Sequence, residues 1–171
     1  MSEDKAFNHF IAGFVTGEGS FYVTLVNRAK LLPQVQCGFA VKIRADDSEL
    51  VRSIWRALRF PGNIYHVSTR RYQYTWDTVR RHDSILLSVK GLGELTRYII
   101  PFFDLYPLHG TKRRNYEIWK QVVEMMERGE HLTLEGVERV QALKDSMNRY
   151  QGQDELDELA HDSDEQLGAD P

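Results

Sequence analysis

A lone carboxylate, Glu18, stands between Gly17 and Gly19 at the end of an apolar run, Phe10 to Phe21, that reads F-I-A-G-F-V-T-G-E-G-S-F. The run has helical composition, and the C-terminal end of a helix carries partial negative charge. An acid there is disfavoured unless a cation sits beside it. Ala12 with Thr16, and Gly13 with Gly17, lie four residues apart, so four small side chains occupy adjacent stripes of the helix surface. Small residues at that spacing let two helix backbones approach closely. A paired helix would bring a second acid to the same point, and a metal cation would make that tolerable. The same string also describes a core helix ended by a glycine cap, and helix and glycine alone do not choose between the two.

The elements around this run can be read from periodicity. Phe21 to Arg28 alternates, with Phe21, Val23 and Leu25 on one face and Tyr22, Thr24 and Arg28 on the other. Asn27 to Pro33 holds a turn. Gln34 to Arg44 sets Val35, Cys37, Phe39, Val41 and Ile43 against Gln34, Gln36, Lys42 and Arg44. Period two with one polar face predicts a sheet covered by helices on one side only. Asp46 or Asp47 can cap a helix with the stripe Leu50, Val51, Ile54, Trp55 and Leu58, which Pro61-Gly62-Asn63 ends. A second strand pair is expected at Ile64–Ser68 and Tyr72–Val79, with Ser84–Val89 as an extension. Leu92–Phe103 reads as a helix with Pro101 near its end, poorly placed for interior hydrogen bonds. Two more helices follow, from Thr111 to Arg128 and after a cap at Thr133. The order is that of an α+β domain with helices segregated to one face of an antiparallel sheet.

The net charge of −3 conceals an uneven distribution. Residues 151–171 hold eight acids and no Lys or Arg, which leaves residues 1–150 with all 22 bases against 17 acids, about +5. A single domain over 1–150 with an acidic, solvated tail over 151–171 is expected. One cysteine, Cys37, excludes an internal disulfide and a cysteine-rich zinc site. The histidines lack metal-ligand spacing such as H-E-x-x-H. No signal peptide and no membrane span is evident, so a reducing, intracellular setting (cytoplasm or organelle matrix) is expected.

The run Ile11 to Gly19 resembles the signature of the LAGLIDADG homing endonucleases, apolar-Ala-Gly-apolar-apolar-acid-small-acid-Gly. Thr16 departs from it at the first acid; Glu18 fills the second, the metal-binding one. Further segments are similar to one subfamily: Ile100 to Leu108 with Thr111-Lys112, then Trp119 to Val123, then Glu130 to Gly136. The resemblance covers roughly residues 7–148. It implies an αββαββα fold and site-specific double-strand cleavage of a long, near-palindromic DNA by metal-dependent hydrolysis. One signature per chain implies a homodimer joined through Phe10, Ala12, Gly13, Thr16 and Gly17. Glu18 and the Gly17 carbonyl would hold Mg²⁺, or another divalent ion such as Mn²⁺. Lys112 would help orient the water, with Lys42 as runner-up.

On this reading the polar sheet face is a DNA saddle. Tyr22, Thr24, Arg28, Gln34, Gln36, Lys42 and Arg44, with Arg70, Arg71, Gln73 and Thr75, would reach base edges or phosphates. Lys112, Arg113 and Arg114 would touch the backbone. A plain solvated sheet face carries the same residue types. Two other functions compete: a non-cleaving binder of the same fold, such as an intron maturase with its own intron RNA as partner or a transcription regulator, and an interaction domain that uses the acidic tail.

Overall fold

The computed structural model describes residues 3–29, 31–68 and 82–147. Helix α1 (Glu3–Glu18) runs into strand β1 (Gly19–Arg28) with no loop between them. Only a residue without a side chain permits this reversal. A Cβ at Gly19 would lie 2.4 Å from Cγ1 of Val15 and 2.7 Å from its carbonyl oxygen, closer than atoms can pack. Strand β2 (Leu31–Arg44) returns antiparallel to β1, with Phe21 opposite Phe39 and Thr24 opposite Gln36. The turn is tighter than the expected Asn27–Pro33, because β1 continues to Arg28 and β2 starts at Leu31.

A short 3₁₀ turn (Ala45–Asp47) leads to α2 (Ser48–Ala57), whose Val51 and Ile54 are buried. Asp47 occupies the cap position but makes no side-chain cap bond. Strand β3 (Asn63–Val67) and strand β4 (Ser84–Val89) complete a sheet of order β1-β2-β4-β3, antiparallel throughout. Ser84–Val89 is a strand, as expected. It is an inner strand that pairs with β2 on one side and β3 on the other. Tyr72–Val79 lies outside the described residues.

The stretch expected as one helix over Leu92–Phe103 is helical throughout but not uniform. A first turn, α3 (Leu92–Glu94), passes into a π-helical turn (Leu95–Ile99) and then α4 (Ile100–Leu105). Pro101 is the second residue of α4. A proline supplies no N–H and its ring crowds the carbonyl four residues back, and the wider π turn before it absorbs both defects. Helix α5 (Gly110–Glu127) and helix α6 (Leu134–Met147) follow. Thr133 caps α6, its Oγ1 accepting the Gly136 N–H at 3.0 Å.

The core lies between the sheet and the helices. Phe21 and Phe39 from the sheet meet Phe103, Tyr116 and Trp119, with ring centroids 5.1 to 5.9 Å apart. Tyr116 donates its hydroxyl hydrogen to Asp104 at 2.8 Å, and Lys120 reaches the other oxygen of that carboxylate at 2.6 Å, which ties α5 to α4. Burial and the Asp104 carboxylate both hold the Tyr116 phenol well above its ordinary range. Cys37 is buried in the sheet, where desolvation pushes its thiol up to about 12, so it stays a protonated core residue.

Candidate active site

Glu18 is the last residue of α1 and is exposed. No basic residue lies in the last turn of its own helix. Two lysines from other elements lie close to this end of the helix. Lys112, in the first turn of α5, donates from Nζ to the carbonyl oxygen of Gly19, the residue next to Glu18. Lys42 lines a surface groove of about 490 Å³ with Glu18, Phe14, Ile43, Arg44, Asp47, Leu50 and Ser84. Lys112 thus lies at the residue next to Glu18, and Lys42 shares a groove with that acid.

Thr16 fixes this junction. Its hydroxyl donates to the Ala12 carbonyl at 2.8 Å and accepts the backbone N–H of His109 at 3.3 Å. The loop before α5 is thereby docked on the end of α1, which places Lys112 beside Gly19. Helix α5 carries Lys112, Arg113 and Arg114 near its start and has no acid in its first turn. The positive end of a helix dipole disfavours such a cluster, so the sequence retains three bases where helix stability alone would not place them. Arg113 is paired with Glu117 at 2.9 Å, an exposed pair of small energetic weight.

The outer face of α1 divides the expected helix contact. Phe10 is 48% exposed, and an added Cβ at Gly13 or Gly17 would meet nothing within 4 Å. Ala12 is buried by its own chain and Thr16 is held by His109. Ala12 and Thr16 are therefore turned inward, and Phe10, Gly13 and Gly17 form the part of the stripe left open. Phe7, Phe10 and Phe14 stack along it at 5.8 and 5.9 Å.

Tyr22, Thr24, Gln34, Gln36, Lys42 and Arg44 lie on the sheet face away from the helices, as alternation requires. Tyr22 does not stand out from it. A Cβ at Gly38 would lie 2.3 Å from Cζ and Oη of Tyr22, so the ring lies over that glycine and shapes the surface. Arg44 is paired with Asp46 at 2.5 Å. The backbone of Arg28 follows a register irregularity after Val26. Arg70, Arg71, Gln73 and Thr75 fall outside the described residues. Three features escaped the sequence reading: the Thr16–His109 bond, Asp47 in the groove, and the apolar pair Val26 and Leu32 on the open face. Only the last had a signal, since both belong to the parity of Thr24 and Gln34.

Among the described residues no three or more His, Cys, Asp or Glu side chains group so as to hold a metal. The hard oxygen donors at hand are the Glu18 carboxylate and the carbonyl of Gly17. They suit a divalent ion such as Mg²⁺ but do not complete its shell, so the remaining ligands must come from water, a bound anion or a second acid. A polar, twisted sheet that ends at one exposed carboxylate with two lysines is a surface suited to a polyanion.

The sequence profile described as LAGLIDADG endonuclease matches residues 11–123. The chain belongs to this family. It is 30% identical over 141 residues to a protein named probable intron-encoded endonuclease 2 from Neurospora crassa, a match that covers 81% of this chain and 28% of that one. Its structure is similar to that of the I-LtrWI LAGLIDADG homing endonuclease bound to target DNA, with a TM-score of 0.70 and 32% identity over 82% of this chain and 44% of that one. It is also similar to meganuclease I-SmaMI bound to uncleaveable DNA, with a TM-score of 0.72 and 28% identity over 85% of this chain and 45% of that one. The chain thus spans less than half of those solved chains and about a quarter of the Neurospora protein. No helix among the described residues is long and apolar enough to cross a membrane.

Proposed function

We propose that this chain is a site-specific, metal-dependent DNA endonuclease that works as a symmetric pair and makes a double-strand break in a long, near-palindromic site. The observation that carries the reading is the junction at Glu18. One exposed acid, a lysine on the adjoining carbonyl and two helix glycines with open space beside them are explained together if a second unit docks on α1. That unit would bring a second Glu18 to the two-fold axis, one acid for each strand. Because the solved relatives have room for a further unit of this size, the second unit is either another copy or a linked domain, and sedimentation of this chain distinguishes the two.

The reaction is hydrolysis of a phosphodiester. A water oxygen bonds to phosphorus, the bond to the leaving sugar oxygen breaks, and that oxygen takes up a proton. A divalent ion bound by Glu18 and the Gly17 carbonyl would lower the pKa of water and offset charge on the phosphate. Lys112, held at Gly19, orients the water and opposes the growing negative charge. Lys42 bears on the same phosphate from the groove side. The saddle face, with Thr24, Gln34, Gln36, Lys42 and Arg44, follows the major groove, and Arg113 and Arg114 meet the backbone. The names of the curated relatives support a gene carried in an intron. The non-cleaving alternative leaves Glu18 without a purpose. A plasmid carrying a selected site, incubated with Mg²⁺, decides: linear product supports cleavage, and a mobility shift with no cut supports the binder.

A further inference from the structure

Two side chains break the polarity of the open sheet face. Val26 is 39% exposed and Leu32 is 41% exposed. Val26 pairs with Gln34 across the β1–β2 ladder, and Leu32 precedes Gln34 by two residues on β2. Cross-strand partners share a face, and so do residues two apart along a strand. Val26, Leu32 and Gln34 therefore form one patch at the outer end of the face that carries Lys42 near Glu18. Nothing in the chain's own packing calls for branched apolar side chains there, since the core lies on the opposite side of the sheet.

The chemistry of the major groove supplies a reason. Base edges in it are hydrogen-bond donors and acceptors with one exception, the 5-methyl group of thymine. An apolar pair set among amides fits an A·T base pair: the amide addresses adenine, and the apolar carbons meet the methyl of thymine. We infer that Val26 and Leu32 are specificity-determining residues that read thymine methyl groups at the outer end of each half-site. The inference rests on the DNA-binding reading above. Gln34 stands eight positions from Lys42 along β2, which is about 26 Å of strand at ~3.3 Å per residue. That length corresponds to roughly eight base pairs at ~3.4 Å per step, so the thymines should fall about that far outward from the cut.

The test uses the wild-type chain first. Sites that it binds are selected from a random, near-palindromic duplex library, and thymine is expected at those outer positions. In the best selected duplex each outer thymine is then replaced by deoxyuridine, which removes the methyl group and leaves every hydrogen-bonding edge intact. Affinity should fall about fourfold per methyl, the scale of one buried carbon. The V26A/L32A double variant, altered only at exposed positions, should bind the thymine and uracil duplexes alike. Equal wild-type affinity for the two duplexes, or selected sites with no outer thymine, overturns the inference and leaves DNA binding intact. Failure to enrich any sequence overturns both.

Discussion

The two faces of helix α1 carry similar small residues for opposite reasons. On the inward face Ala12 is buried and Thr16 bonds to a distant loop, so the chain's own packing accounts for their size. On the outward face Gly13 and Gly17 meet nothing. A glycine inside a helix costs about 1 kcal/mol relative to alanine. Two such glycines with empty space beside them gain nothing for the isolated chain. Size at the first face is an internal requirement, and at the second it answers to nothing within the described residues, which is where the proposed second unit would dock. Glu18, where the two faces end, belongs to both.

The sharpest way to break that contrast is at Glu18 itself. Glu18→Gln keeps the shape and removes the charge. Cleavage should fall by on the order of 10³-fold or more, the scale of losing a group that stabilises developing charge. DNA affinity in gel-shift titrations should change little. A Glu18→Gln protein that still cuts at the wild-type rate would end the mechanism.

Gly13→Leu asks whether the outward face is an interface. Overpacking a close helix contact costs about 1–3 kcal/mol, so self-association should weaken about 5- to 150-fold by sedimentation. The isolated chain should not suffer, because leucine is a better helix former than glycine and finds open space. Weaker association together with an unchanged or higher Tm in dilute solution is the expected pair of results. An unchanged dimer would put the interface elsewhere.

How far these features could be read in advance followed from the distances involved. The acid-ended helix and the two faces of β1 and β2 were legible, because periods of 3.6 and 2 are written in neighbouring residues. The place of strand β4 inside the sheet was not. Ile85, Leu87, Ser88 and Val89 are all buried, and an inner strand of that kind reads as a continuous apolar run without alternation. The π turn over Leu95–Ile99 was signalled only by Pro101, which marks a defect without saying how it is absorbed. The resemblance pointed to Lys112 as a basic residue of the site, but not to its contact with Gly19. The bond that sets it, Thr16 to His109, joins residues 93 apart in sequence, and no local pattern encodes it.

Gly19→Ala tests the inward requirement. The new methyl would sit 2.4 Å from Cγ1 of Val15 and 2.7 Å from its backbone oxygen, and the oxygen cannot move without moving α1. Destabilisation of about 1–3 kcal/mol is expected, read as a Tm lower by about 2–4 °C for each kcal/mol in a chain of this length. A Gly19→Ala chain as stable as wild type would mean that α1 can shift, and Lys112 would then lose its fixed position.

The smallest effect is expected where glycine is wanted and missing. Helix α2 ends in a paired cap: the Phe60 N–H reaches the Trp55 carbonyl at 2.8 Å and the Arg59 N–H reaches that of Arg56 at 3.0 Å. This double bond pattern forces the residue after the cap into the left-handed region, a position that glycine usually fills. Here Arg59 has φ 67° and Phe60 has φ 63°. A side chain in that region costs about 1–2 kcal/mol, and the added freedom of an unfolded glycine takes back about 0.5–1 kcal/mol. Arg59→Gly should therefore stabilise the chain by about 0.5 kcal/mol, a Tm rise of about 1–2 °C in calorimetry. Unlike Gly13, which the fold does not need, position 59 would then be a place where the fold would accept glycine and the sequence keeps a base. A fall in Tm instead would show that the Arg59 side chain contributes more to the fold than its backbone strain takes away.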